Sequence, residues 1–160
     1  MRIMMFAVTL VLLVATAAPA QQPAVQTAPP VIKDFASSAD VAALIAKAKS
    51  ERKEGQPTVA ERILQLPPYN TNLEYRTAVG PAAIHEKEAE IFYVIEGSGM
   101  MVTGGKLVSE SRTNAENLTG TAIAGGTSRA VAKGDFVIVP ENTPHWFSAI
   151  NGTLILMSMH

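Results

Sequence analysis

The sequence predicts an all-β domain, an antiparallel barrel or sandwich preceded by one helix. Three observations carry that expectation. From Val59 onward, short runs rich in β-branched and aromatic residues alternate with turn residues, among them "VAERILQL", "LEYRTAV", "EIFYVIEG", "GMMVTGG", "FVIVPENTPHWFSAI" and "TLILMSM". About ten strand-sized pieces at such close spacing are the pattern of antiparallel sheets. Asn151-Gly152 between two apolar runs is a strong hairpin signal, since both residues tolerate positive φ. Only one stretch, "SSADVAALIAKAKSERKEG", has helical texture.

The N-terminal elements come first. Arg2 precedes the apolar run "IMMFAVTLVLLVATAA", and "APA" at 18–20 offers small residues where a signal peptidase reads. The run is shorter than the roughly 20 residues a membrane span requires. Residues 1–20 are therefore expected to be a cleaved signal peptide, ending at Ala20, of a secreted, periplasmic protein. Residues 21–36, rich in Pro, Gln and Ala, read as a disordered or extended leader. Residues 37–160 then form a single domain, with a helix over 38–53 and a barrel from about 58 to 159. Ser37 with Asp40 resembles a capping box, and Gly55 sits beyond the basic end of the helix.

Composition excludes several function classes. Taking Arg2 from the 13 basic residues leaves 12 against 14 acidic, a net charge of −2. No basic run remains that suits a nucleic acid. With no cysteine there is neither a disulfide nor thiolate chemistry. Any site must use histidines, carboxylates, hydroxyls or a metal.

The barrel pieces follow in order, broken by "TGG" at 103–105 and by the polar, irregular stretch 109–126, which reads as a long excursion between two halves. Two segments carry chemistry. "HEKEAEIFYVIEG", 85–97, places four residues between His85 and Glu90 and six between Glu90 and Gly97. "GDFVIVPENTPHWFSA", 134–149, contains Gly134, Pro140 and His145. Gly134 suits a tight turn into a strand, Pro140 ends that strand by withholding a donor, and Asn142 suits a left-handed turn.

These segments resemble the two motifs of the cupin superfamily, Gly-x5-His-x-His-x3/4-Glu-x6-Gly and Gly-x5-Pro-x-Gly-x2-His-x3-Asn. The resemblance covers roughly residues 70–158 and implies a jelly-roll-like cupin barrel. In the second motif Asn142 replaces a glycine and Ala149 the last asparagine. The first motif lacks one histidine. In one register Ala83 takes the first histidine position; in the other His85 takes it and Lys87 the second. The resemblance makes His85, Glu90 and His145 the metal ligands. Two imidazoles and a carboxylate suffice for iron, manganese, nickel or zinc with open positions.

Side-chain alternation extends the site. Phe92 shares a face with Glu90, and Phe147 shares one with His145, so both are expected to wall the pocket. Arg76 is placed to enter it and bind a carboxylate. Lys87 joins the pocket under the second register and faces solvent under the first. Ile91, Tyr93, Ile95 and Trp146 face the other side, against a second sheet, the N-terminal helix or a partner subunit, which with the 59–66 strand available for pairing suggests a homodimer.

The expected function is a small-molecule-binding cupin with one divalent metal ion. That ion acts as Lewis acid, or activates dioxygen if it is iron, in an oxygenase or isomerase type of enzyme. No nucleic acid, and no membrane after signal cleavage, is expected as a partner. The alternatives are a metal-free module binding a small organic acid or sugar through Lys87 and Arg76, and a non-catalytic dimeric scaffold.

Overall fold

The structure, a computed structural model, describes residues 31–160. The expected signal peptide and residues 21–30 of the leader lie outside the described residues. The remainder of the leader is extended and tied down: Lys33 and Gln65 exchange backbone hydrogen bonds of 2.9 and 2.8 Å.

Helix α1 (Ser38–Glu51) starts at the capping box expected from Ser37 and Asp40. Asp40 N–H donates to Ser37 Oγ at 3.2 Å, and Ser37 N–H donates to the Asp40 carboxylate at 2.8 Å. Two orphan donors of the first turn are thereby satisfied. The helix stops two residues earlier than expected, with Arg52 extended.

The strands are β1 (Thr58–Leu66), β2 (Tyr69–Arg76), β3 (Ala82–His85), β4 (Glu90–Glu96), β5 (Ser98–Thr103), β6 (Lys106–Val108) and β7 (Ser111–Arg112). They continue as β8 (Asn117–Gly120), β9 (Ala122–Ala124), β10 (Thr127–Ala132), β11 (Phe136–Val139), β12 (His145–Ile150) and β13 (Leu154–Met159). One antiparallel sheet has the order β1-β2-β13-β4-β11, a second β10-β5-β12-β3-β8-β7, and β6 pairs with β9 separately.

The two large sheets face each other. Phe92, Val94, Val137, Val139, Leu154 and Leu156 from the first meet Met101, Val131 and Phe147 from the second in one buried cluster. The opposite face of the first sheet is covered by α1. There Ala48 packs with Val59, Ile63, Leu73, Tyr75 and Ile155. Alternation along β13 separates the two sides: Leu154, Leu156 and Ser158 point between the sheets, Ile155 and Met157 toward the helix.

Two expectations are corrected here. Asn151-Gly152 does turn the chain, with Gly152 at φ 74°, but β12 and β13 do not pair. β12 pairs with β3 and β5, and β13 with β2 and β4, so the turn carries the chain from one sheet to the other. Turn chemistry specifies a reversal, not which strands bond. The excursion over 109–126 is also more ordered than its polarity suggests, since it forms β7, β8 and β9, and β8 pairs with β3. β7 is a short edge strand with both residues exposed, and β9 belongs to a two-stranded sheet, which suits the polar character of the stretch.

Gly97, the last motif-one residue, ends β4 at φ +85°, and a Cβ there would meet Thr153 O at 2.0 Å. Only glycine allows that close approach.

Candidate metal centre

Each of the three expected ligands sits at the end of a strand, where backbone bonds fix its base. His85 closes β3 and its carbonyl accepts from Asn142 N–H at 2.7 Å. Asn142 has φ 55°, the left-handed turn expected at that motif position. The bend after Pro140 therefore joins the end of β3 to the start of β12, where His145 stands. Glu90 opens β4 opposite Val139 of β11.

His145 and Ala83 are direct partners across β12 and β3, so they share a face, and alternation puts His85 on it too. This decides the register: Ala83 holds the inward position and contributes only a methyl. Lys87, expected as a pocket residue under the other register, is exposed in the β3–β4 turn.

The three ligands converge. His145 Nε2 lies 3.1 Å and His85 Nε2 3.4 Å from Glu90 Oε2, and the ligand atoms of the trio all fall within 4.8 Å of one another. His85 and His145 come from one sheet and Glu90 from the other, so the group bridges the gap. Glu90 is 4% exposed. Burial pushes its carboxyl up, but hydrogen bonds from His145, His160 and His85 outweigh that and hold it well below the usual carboxylate range. His85 is pushed above its ordinary value, first by its hydrogen bond to Glu90 and against its burial.

His160 enters that account without having been singled out in the sequence. It follows β13 directly, and its Nε2 lies 3.1 Å from Glu90 Oε1. All three histidines of the chain thus meet one carboxylate. The signal available was alternation, because Leu154, Leu156, Ser158 and His160 fall on one face of "LILMSMH". Asn117 was also missed. Its side-chain carbonyl accepts from His85 Nδ1, while its amide donates to Asn114 Oδ1 at 3.0 Å.

The partners of the two motif histidines determine their tautomers. Asn117 Oδ1 and the Thr143 carbonyl, 3.1 Å from His145 Nδ1, only accept. Each Nδ1 therefore carries hydrogen, and in a neutral ring each Nε2 presents a bare lone pair to a carboxylate oxygen. Lone pair against lone pair is repulsive unless a cation lies between. Protons on the rings are one solution, at the cost of several buried positive charges around one carboxylate. A divalent ion is the other, and two neutral imidazoles with a carboxylate are a donor set it accepts. The residues fit a metal.

Phe92 and Phe147 do not wall an open pocket. They are 1% and 3% exposed and stack edge-to-face at 5.4 Å, with the Phe92 ring 5.9 Å from that of His145. They form an apolar floor beneath the ligands. Arg76 turns toward the space between the sheets, where its carboxylate partner belongs to the chain itself. It pairs with Glu74 two residues back and lies over the Phe147 ring at 4.9 Å. Glu74 in turn accepts from the buried Ser158 Oγ at 2.9 Å. Arg76 is the β2 partner of Leu154, whereas the ligands lie at the Met159–Thr71 end of that ladder.

Comparison with known proteins gives the family. The family model described as "Cupin" matches residues 60–159. The chain is a cupin. Similar solved structures include a cupin superfamily protein from Desulfitobacterium hafniense DCB-2, with TM-score 0.52 and 13% identity over 81% of this chain and 96% of that one. The iron(II) form of HppE has TM-score 0.50 and 16% identity, covering 68% of this chain and 53% of that one. This cupin therefore spans about half the length of that relative. KdgF from Halomonas sp. has TM-score 0.49 and 16% identity over 68% of this chain and 82% of its own. No curated protein sequence matches the chain. At these identities the likeness speaks to the fold.

Because Asn117 fixes the His85 ring, Asn117→Ala is expected to lower divalent-metal affinity by about 10- to 100-fold while folding is retained. Calorimetric titration of the metal-free protein with zinc measures this, and an unchanged affinity contradicts the assigned orienting role.

Proposed function

We propose that this cupin holds one divalent metal ion through His85, Glu90 and His145 and binds a small oxygen-containing ligand there. One observation carries the proposal: bare imidazole nitrogens aimed at a single buried carboxylate, with the opposite nitrogens already committed to acceptors. When bound, the metal supplies Lewis acidity to a ligand oxygen. The residues do the rest. His85 and His145 present neutral lone pairs, Glu90 neutralises one charge, and Phe92 with Phe147 excludes water from below. A metal-dependent enzyme of oxygenase or isomerase type is the activity class this arrangement supports.

The metal-free alternative loses its two recognition residues, since Lys87 is exposed and Arg76 is engaged by Glu74. We extend the proposal to export into the periplasm, supported by the apolar N-terminal segment and the small residues before Gln21. A homodimer is supported by Phe136 and Ile138, exposed at 69% and 65% on the edge strand β11.

The test is optical. The protein loaded with cobalt(II) is titrated with oxalate, a small bidentate oxygen ligand. A saturable change in the visible absorption bands is expected. Bands that stay unchanged at saturating oxalate contradict an accessible ligand position.

A further inference from the structure

We infer that His160 supplies a third imidazole ligand to this centre, standing in from the opposite sheet for the histidine that Ala83 replaces. The inference rests on the proposed metal site and adds a residue to it. His160 lies outside both motifs and one position beyond the segment that matches the family model.

Four observations carry it. The position is built: His160 and Asn70 exchange backbone hydrogen bonds, both 3.1 Å, which extends the β2–β13 ladder by one pair. The side chain is largely buried, at 14% exposed, and its Nε2 reaches the oxygen of Glu90 that the other histidines leave free. Its ring stands 4.7 Å from that of His85 at 85°. Finally, His160 Nδ1 is buried without a hydrogen-bond partner among the described residues, and Glu88 Oε2 lies 3.6 Å from it.

The last point separates two roles. If His160 only donated Nε2–H to Glu90, its bare Nδ1 would face the Glu88 carboxylate, acceptor against acceptor. If Nε2 is a ligand instead, Nδ1 carries the hydrogen and points it toward Glu88. That is the carboxylate–histidine–metal arrangement common around protein-bound metals. Ala83, on the same face as His145, leaves the inward position of β3 without a donor. The four-donor set then has two residues from each sheet, so loading the metal ties the two sheets together.

The experiment counts imidazoles. Untagged full-length protein and the variants His160→Ala, His160→Gln and His145→Ala are loaded with copper(II), and pulsed EPR counts the coupled imidazoles while zinc titration gives affinity. The glutamine side chain of His160→Gln keeps a donor for Glu90 but offers no imidazole. The expected result is three imidazoles in the wild type and two in both His160 variants, with zinc affinity reduced at least about 10-fold in each. His145→Ala should lose metal more severely. A wild type with two imidazoles, unchanged in both His160 variants, overturns the inference while the His85–Glu90–His145 site stands. Rescue of affinity by His160→Gln also overturns it and makes His160 a positioning residue for Glu90. A wild type that binds neither metal overturns the metal-site proposal itself.

Discussion

Stripping the divalent metal with a chelator is expected to lower the thermal midpoint by roughly 10 °C, and by more near pH 8 than near pH 5.5. An ion held at 100 times its dissociation constant stabilises the folded state by about 2.7 kcal/mol, and about 3–5 °C accompanies each kcal/mol in a domain of this size. The pH dependence follows from the two shifted groups. In the metal-free protein His85 is raised above 6.5, so its contribution is fully present below that value and is lost as pH rises through the folded value. Glu90 is lowered from 4.5, so its contribution is present above 4.5 and is lost as pH falls toward the folded value. The metal-free protein is therefore best served between these values, where a proton on His85 takes the place of the ion. Metal needs that nitrogen bare, so its contribution grows as pH rises. Differential scanning calorimetry with and without chelator across this range measures the gap. A gap that is constant with pH, or widest in acid, contradicts the shared-nitrogen account.

The second large effect is mechanical. Phe92→Ala should cost about 3–5 kcal/mol of folding stability, the range for removing a buried aromatic ring from a close-packed core. Phe92 packs against both Phe147 and the His145 ring within the buried cluster between the sheets. The loss also takes away the floor beneath His145, so metal affinity should fall in parallel. Lys87→Ala is the control: that side chain is exposed in the β3–β4 turn and its removal should stay within about 0.5 kcal/mol of the wild type. Urea denaturation of both variants checks the contrast. A Phe92→Ala cost below about 1 kcal/mol contradicts the filled interior.

The fold was legible wherever backbone constraint appears as residue type. Asn142 in the left-handed region, Pro140 after β11 and the Ser37–Asp40 box all stand where their chemistry predicts. The resemblance to the two cupin motifs also pointed to His85, Glu90 and His145, whose ligand atoms lie within 4.8 Å of one another. Pairing was less legible, because Asn151-Gly152 signals a reversal but cannot say that its two strands belong to different sheets. Pocket and wall were confused for a related reason. Alternation places Phe92 and Phe147 inward, yet whether inward means lining a cavity or filling it depends on the width between the sheets.

The residues missed at the site were hidden for different reasons. Asn117 lies in a polar stretch whose pairing with β3 depends on long-range contacts. Arg112, in the same stretch, clamps Glu86 with bonds of 2.6 and 3.0 Å and so anchors that stretch beside His85. His160 belongs to neither motif, and its role emerges only when β13 is paired with β2 and β4. Local spacing finds ligands that share a segment. Ligands brought in by sheet pairing need the register.

The central claim is that a buried histidine–carboxylate cluster in this cupin holds a divalent metal. Elemental analysis of untagged protein, purified beside His145→Ala, tests it most directly. Near-stoichiometric iron, manganese, nickel or zinc is expected in the wild type and its loss in the variant, with both proteins folded. Absence of metal from the wild type, even after reconstitution with each ion, would contradict it.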